Sequence, residues 1–368
     1  MHLPKLSIGD LQVEKPIIQG GMGVGISLSG LASAVANQGG VGVISSVALG
    51  LISDQTKYSK KANIELLSQE IQKARNKTDG VIGVNIMVAL TQYEELVKTS
   101  IKEEADIVFI GAGLPLKLPG FFSESEWQNK TTKVAVIVSS ARAAGLIFKI
   151  WDKKYKCVPD AVVVEGQKAG GHLGFKENQI DDHQYALEEL IPQVRESIDK
   201  FSDKYNQPIP VIAAGGIFYG GDIKKFLDLG ADGVKMGTRF VATEECDADD
   251  KFKQQFVNCQ EKDLTIIKSP VGLPGRAIKN GFLEQVKNGI KKPFSCPWKC
   301  LKTCDYKKAP YCIAQALVSA QKGIMEHGFA FAGSNAYLID KIVSVRELFQ
   351  TLIEEFEKAA NLEKQLAY

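Results

Sequence analysis

The chain has 368 residues, of which 45% are hydrophobic and 24% charged, with a formal net charge of +2. That balance excludes a largely disordered chain and argues against a protein built mainly to bind nucleic acid. No apolar run reaches the roughly 18 residues of a membrane span, so no membrane partner is expected.

Met1 to Asp10 has no apolar signal-peptide core and begins a short strand-like segment. Short β-branched runs then recur at Pro16–Gln19, Val41–Ser45, Val81–Asn85, Asp106–Ile110, Val134–Val138, Ala161–Glu165, Pro210–Ala214 and Gly233–Met236. They are nearly continuous apolar runs, as in parallel strands buried on both faces. Helical spacing fills the gaps, for example at Leu31–Asn37, Ile64–Lys73 and Gly221–Leu229. Eight β-then-α units predict a (β/α)8 TIM barrel, an α/β fold. An open doubly wound sheet is the competing topology, but no Gly-x-Gly-x-x-Gly turn follows the first strand. The alternation stops near Ala242. Residues 245–322 are charge-rich, hold the turn-like segment Ser269 to Gly275 and most of the seven cysteines, and read as an inserted, mainly helical cap. The barrel would then comprise 1–244 and 323–368, with an amphipathic helix at Val343–Lys364. Seven cysteines in a chain of this size fit a reducing cytoplasm rather than a disulfide framework.

Barrel active sites form from the loops at the C-terminal ends of the strands. Here those loops are Gly20-Gly21-Met22-Gly23, Asn85-Ile86-Met87, Gly111-Ala112-Gly113, Glu165 to Gly174, Ala214-Gly215-Gly216 and Met236-Gly237-Thr238, most of them bearing glycine. Glycines after strands seven and eight let backbone N–H groups approach a phosphate, and Thr238 adds a hydroxyl. Tight βα turns would use the same glycines. His172, one of four histidines, lies among Gly170, Gly171 and Gly174, which leave room for a ligand beside the ring. An ordinary imidazole pKa near 6.5 suits proton transfer, so His172 is the candidate catalytic residue. His2, His183 and His327 sit in terminal, polar or turn contexts and read as structural or exposed.

Gln19-Gly20-Gly21-Met22, Gly83-Val84-Asn85-Ile86-Met87, Glu165-Gly166 with Ala169-Gly170-Gly171-His172-Leu173-Gly174, Ala213-Ala214-Gly215-Gly216-Ile217 and Met236-Gly237-Thr238-Arg239-Phe240 occur in that order. Together they resemble the nitronate monooxygenase (2-nitropropane dioxygenase) superfamily, which includes FMN-dependent enoyl-[acyl carrier protein] reductases and NADH:quinone reductases. The resemblance spans about residues 14–245, with a weaker echo around Arg276 and in the tail. It implies FMN at the barrel mouth. Gly20, Gly21 and Met22 would lie along the isoalloxazine ring, and Asn85 would bond to its polar edge or the ribityl chain. Gly215, Gly216, Gly237 and Thr238 would cradle the phosphate, with Gly170, Gly171, Ala214 and Met236 completing the cofactor-binding set, and His172 would face the flavin. The first loop, Gln-Gly-Gly-Met-Gly-Val, is closer to the enoyl-reductase wording than to that of many nitronate oxidases.

The cap adds Cys296, Cys300 and Cys304, spaced so that a helix would put them on one face, followed by Cys312. Four thiolates so close match the ligand count of a four-cysteine iron–sulfur or zinc site. Pro297 and Trp298 would shield it, and Lys299 and Lys302 would offset its charge. Buried free cysteines without metal are the alternative.

The leading expectation is an FMN-dependent oxidoreductase that oxidises alkyl nitronates with O2. A reductase using NAD(P)H as co-substrate, acting on an enoyl thioester or a quinone, is the alternative, and a non-redox phosphate-binding barrel is the outsider. The expected partner is a small-molecule substrate. Assembly is left open, with a homodimer among the options.

Overall fold

In the computed structural model, residues 2–52, 60–290, 294, 296 and 299–366 are described. Eight parallel strands follow one another in the order predicted: Ile17–Gln19, Gly42–Ser45, Ile82–Met87, Ile107–Gly111, Lys133–Val138, Ala161–Glu165, Val211–Ala214 and Gly233–Met236. Strand eight pairs with strand one, Val234 lying opposite Ile17. The last seam, between strands one and two, is a parallel bridge of Ile18 with Val41. Around it the Gln19 N–H donates to the Val41 carbonyl at 2.9 Å, and the Val41 N–H donates to that of Ile17 at 3.0 Å. These contacts bring the sheet round into a (β/α)8 TIM barrel.

The barrel interior is a packed core rather than a pore. Ile18, Val43, Phe109, Val163 and Ile212 point inward and are fully buried in one apolar cluster. An antiparallel hairpin, Leu6–Ile8 with Leu11–Val13, adds Leu6, Ile8 and Val13 to that cluster. The alternate residues of each strand, such as Ile44, Val84, Val162 and Val234, face outward into a second core shared with the helices. This two-sided burial is why the strand sequences are continuously apolar. Helices form at Ser29–Asn37, Lys60–Arg75 and Gly220–Asp228, within a few residues of the spans read from periodicity.

The segment after strand eight departs from the repeat. It contains a helix at Asp250–Val257, an antiparallel strand pair at Leu264–Lys268 and Pro274–Ile278, and helices at Gly281–Lys287 and Ile313–Gln321. The chain then returns to the barrel and ends in the helix Val345–Leu366. That helix crosses Gly220–Asp228 so closely that a Cβ on Gly220 would stand 2.2 Å from the Leu352 carbonyl oxygen. Among the described residues, no helix is long and apolar enough to cross a membrane.

One carboxylate ties the start of this segment to the start of the barrel. The helix Ser29–Asn37 has no capping side chain of its own. Asp247 supplies it from afar, accepting from the backbone N–H groups of Leu28 at 2.7 Å and of Gly30 and Leu31 at 3.1 Å. The N-terminal N–H groups of a helix lack intrahelical partners, and a negative charge there is favoured by the helix dipole. Burial raises the Asp247 pKa, and the backbone hydrogen bonds oppose that shift. Replacing Asp247 with Ala strands these donors and should cost about 1–3 kcal/mol of stability. Urea denaturation of the full chain checks this; an unchanged midpoint would show that water replaces the carboxylate at no cost.

Candidate active site at the barrel mouth

The top layer of the barrel interior is polar, unlike the layers beneath it. Strands three, six and eight direct Asn85, Glu165 and Lys235 inward at their C-terminal ends, one alternation above the apolar layer. The Lys235 Nζ donates to Asn85 Oδ1 at 3.3 Å and lies 5.0 Å from the centre of the Phe109 ring. Burial lowers the Lys235 pKa to about 8, and the Glu165 charge acts against that. Burial likewise raises the Glu165 carboxyl, opposed by Lys235. Lys235, Glu165 and Asn85 therefore make a buried polar layer directly beneath the mouth, in which burial disfavours both charges and each charge opposes the other's shift. The sequence reading missed both side chains as site residues. Strand alternation could have found them, because Lys235 falls between the outward-facing Val234 and Met236.

The loops above this layer interlock. The Gly20 N–H donates to the Met236 carbonyl at 2.8 Å, joining loop one to strand eight. A Cβ on Gly21 would stand 2.2 Å from that of Asn85, so loop one also lies against strand three. The Met22 N–H donates to Ser27 Oγ at 2.8 Å, which shapes the rest of the loop. Gly215 and Gly216 have φ of +97° and +81°, a backbone that side chains rarely adopt. Cβ atoms on them would meet the Gly166 oxygen at 3.0 Å and the Lys168 Cβ at 2.8 Å, so loop seven packs under loop six. A Cβ on Gly237 would meet nothing nearer than Met22 Sδ at 3.6 Å, which leaves open space beside strand eight.

The chain returning from the insertion completes this corner. The Gly333 N–H donates to Thr238 Oγ1 at 2.9 Å, a contact that uses a lone pair and not the hydroxyl proton. The Asn335 side chain donates to the Gly216 carbonyl at 2.8 Å, and the Ser334 N–H donates to that of Lys168 at 3.1 Å. Sequence reasoning missed Gly333, Ser334 and Asn335, whose only signal was a run of small polar residues where the chain rejoins the barrel. Of the expected residues, Gly20, Gly21, Met22, Asn85, Gly170, Gly215, Gly216, Gly237 and Thr238 are gathered at the mouth. The Ala214 side chain faces the barrel interior, whereas that of Met236 lies in the outer core, so Met236 meets the mouth only through its backbone.

His172 is held from the other side. Gly171 and His172 form a two-residue strand that pairs antiparallel with Arg276 and Gly275. Arg276 clamps the same loop, its Nη1 donating to the carbonyls of Gln167 at 2.6 Å and Ala169 at 2.9 Å. The His172 Nε2 is 2.7 Å from Ser269 Oγ, and its ring lies 5.0 Å from that of Phe331. Burial pushes the imidazole pKa down to about 4. The ordinary value assumed from sequence is therefore displaced: near pH 7 this ring is neutral. In the tautomer where the Ser269 hydroxyl donates to Nε2, the proton sits on Nδ1 and is available to an acceptor; in the other, Nε2–H donates to Ser269 Oγ.

The residues present fit FMN. Two positive-φ glycines and the open face of Gly237 offer backbone where a phosphate needs close approach. The Asn85 amide and the Lys235 ammonium suit the electron-rich polar edge of an isoalloxazine ring.

The four insertion cysteines do not lie on a helix, since residues 299–304 run as an irregular segment with one β-bridge at Leu301. Cys312 immediately precedes the helix Ile313–Gln321. The expected shields Pro297 and Trp298 fall outside the described residues.

The nitronate monooxygenase family model matches residues 5–355. A probable nitronate monooxygenase of Staphylococcus aureus (strain MSSA476) is 29% identical over 314 residues, covering 75% of this chain and 78% of the relative. A (3aS,4S,5R,7aS)-5-hydroxy-7a-methyl-1-oxo-octahydro-1H-indene-4-carboxyl-CoA dehydrogenase of Mycobacterium tuberculosis (strain ATCC 25618 / H37Rv) is 29% identical over 282 residues, covering 76% of this chain and 67% of the relative. The structure of FabK from Thermotoga maritima superposes with a TM-score of 0.73 at 29% identity, covering 96% of both chains. A nitroalkane oxidase from Streptomyces ansochromogenes shares the fold, with a TM-score of 0.72 at 21% identity, covering 96% of this chain and 98% of that one.

Replacing Gly237 with Val should place two methyl groups where a phosphate would lie. Equilibrium titration of the apoprotein with FMN should show the dissociation constant rising about tenfold or more, a loss of about 1.4 kcal/mol. Retention equal to that of the unaltered chain would move the phosphate away from strand eight.

Proposed function

The chain belongs to the nitronate monooxygenase family and is an FMN-dependent oxidoreductase, and we propose that its substrate is a small alkyl nitronate, oxidised with O2. The observation behind this choice of substrate is the neutral state of His172. A group whose pKa is about 4 is a weak base at neutral pH and holds almost no proton to give. It is poorly suited to pull a proton from a neutral nitroalkane, or to deliver one to a reduced thioester. A nitronate arrives already ionised and needs neither service. What it needs is a fixed hydrogen-bond donor beside an apolar wall. In the tautomer where the Ser269 hydroxyl donates to Nε2, His172 offers Nδ1–H, and Phe331 supplies the wall.

Bound FMN would take electrons from the substrate and pass them to O2, chemistry that belongs to the cofactor. The protein's share is placement. Gly215, Gly216, Gly237 and Thr238 would hold the phosphate, while Asn85 and Lys235 would meet the polar edge of the ring. Lys235 would supply positive charge to a group that gains electron density on reduction, and the Glu165 charge works against the loss of that proton to burial. Arg276 and the Gly171–His172 pairing hold the donor still, which limits the orientations open to the substrate.

A second reading, reduction of an enoyl thioester with NAD(P)H, is favoured by the wording of the first loop, Gln19-Gly20-Gly21-Met22-Gly23. Anaerobic mixing separates the two. An alkyl nitronate should bleach the flavin at a catalytic rate, and NADH or NADPH should do so only slowly. Rapid bleaching by a nicotinamide, with none by the nitronate, selects the reductase.

His172→Ala should retain FMN and lose about 10–150-fold in kcat/KM, chiefly through KM, the loss expected for one hydrogen bond to a charged group. Because the imidazole takes a proton only near pH 4, kcat/KM should show no inflection near pH 6.5. An inflection there in the unaltered enzyme, abolished in His172→Ala, would refute the neutral donor.

A further inference from the structure

Cys296, Cys300, Cys304 and Cys312 line one cavity of about 250 Å³, together with Phe294, Lys299, Leu301, Lys302 and Tyr306. Neither the FMN reading nor the nitronate reading uses it. Cys157 and Cys259 lie elsewhere as partly or fully buried free thiols, and Cys246 donates to the Ile26 carbonyl. The clustering is therefore specific to four residues that an irregular chain, rather than one helix face, brings together. All four side chains face that common space.

The arrangement separates two kinds of metal centre. A single zinc ion needs every thiolate about 2.3 Å from one point. Among the described residues, no group of three or more Cys, His, Asp or Glu side chains is set to hold a metal ion in that way. A cubane iron–sulfur cluster makes a different demand. Its irons stand at separate corners, each takes one thiolate, and the four sulfurs surround a space instead of converging. Four thiols spread around a cavity meet that demand. Lys299 and Lys302 line the same space and oppose the negative charge of four thiolates.

The surroundings fix the cavity to the barrel. The Thr91 N–H donates to the Cys300 carbonyl at 3.0 Å, and the Lys302 N–H donates to that of Ala89 at 2.9 Å. Leu301 forms a β-bridge with Leu90, and Lys302 Nζ donates to the Val88 carbonyl at 2.9 Å. Residues 88–91 are the loop that leaves strand three directly after Asn85, Ile86 and Met87. The cysteine segment is thus laced to the loop whose strand ends at the barrel mouth.

We propose that Cys296, Cys300, Cys304 and Cys312 bind a four-iron iron–sulfur cluster beside the loop that follows strand three. The site is independent of the substrate assignment and stands whether the barrel oxidises nitronates or reduces thioesters.

The test uses the full chain, purified without oxygen and reconstituted with ferrous iron and sulfide. Flavin absorbs in the same visible range, so the readouts are iron and acid-labile sulfide content and the low-temperature electron paramagnetic resonance of the dithionite-reduced protein. About four irons and four sulfides per chain are expected, with a cluster signal. Cys300→Ser and, at the more open rim, Cys304→Ser should each lose most of the iron while keeping FMN, which shows that the barrel has folded. Cys157→Ser should keep both. One zinc per chain, or no metal with all four thiols open to alkylation, overturns the proposal. So does iron that survives in both rim and core variants.

Discussion

The pairing of Gly171 and His172 with Gly275 and Arg276 is the constraint on which the site depends. A loop carrying Gly170, Gly171 and Gly174 would lose much conformational entropy on ordering, since glycine has the most freedom to lose. The pairing meets that cost with backbone hydrogen bonds supplied from the inserted segment. Arg276 reinforces it by placing a buried guanidinium against two carbonyls of the same loop. Ser269, in the turn that joins the insertion's two strands, then fixes the imidazole. The candidate catalytic side chain thus stands on the barrel but is aimed by the insertion, so the two parts of the chain act as one site.

Directly below, the barrel departs from the rule that its interior is filled with branched apolar side chains. Burying Lys235 and Glu165 there carries a desolvation cost that apolar residues would not. Two titratable side chains kept at the layer nearest the mouth are therefore better explained by what they face than by what they add to stability. Where local rules are broken in a well-packed fold, function is the first place to look.

The architecture was legible because the barrel strands are nearly continuous apolar runs, broken by polar residues near their C-terminal ends, and most are followed by glycine-bearing loops. Both features follow from burial on two faces and from tight βα turns. The strand pair at Leu264–Lys268 and Pro274–Ile278 was hidden by its half-buried, mixed sequence, Leu-Thr-Ile-Ile-Lys, which sits among charge-rich helical stretches. His172 was visible as a residue but not as a chemical state. Its depressed pKa comes from burial beneath Phe331 and beside Ser269, and both are distant in sequence. Gly333 and Asn335 were hidden for the same reason, since their partners Thr238 and Gly216 lie about a hundred residues away. What one sequence withholds here is the long-range contact, not the local conformation.

The remote cap on the first barrel helix has a consequence for how the chain is made. Leu28 and Asp247 are 219 positions apart. At synthesis rates of about 5–20 residues per second, the carboxylate emerges roughly 10–40 s after the N–H groups it must cap. Val345, whose N–H donates to Glu245 at 2.9 Å, arrives later still. Until Asp247 arrives, Glu70 serves only the Ser29 N–H at that helix end, at 3.0 Å, so the first βα unit waits on the ribosome with the N–H groups of Leu28, Gly30 and Leu31 unmet and an unpaired edge beside strand one. Such exposed edges invite pairing with other chains, so the nascent barrel is most open to aggregation, and most in need of chaperone shielding, during that interval.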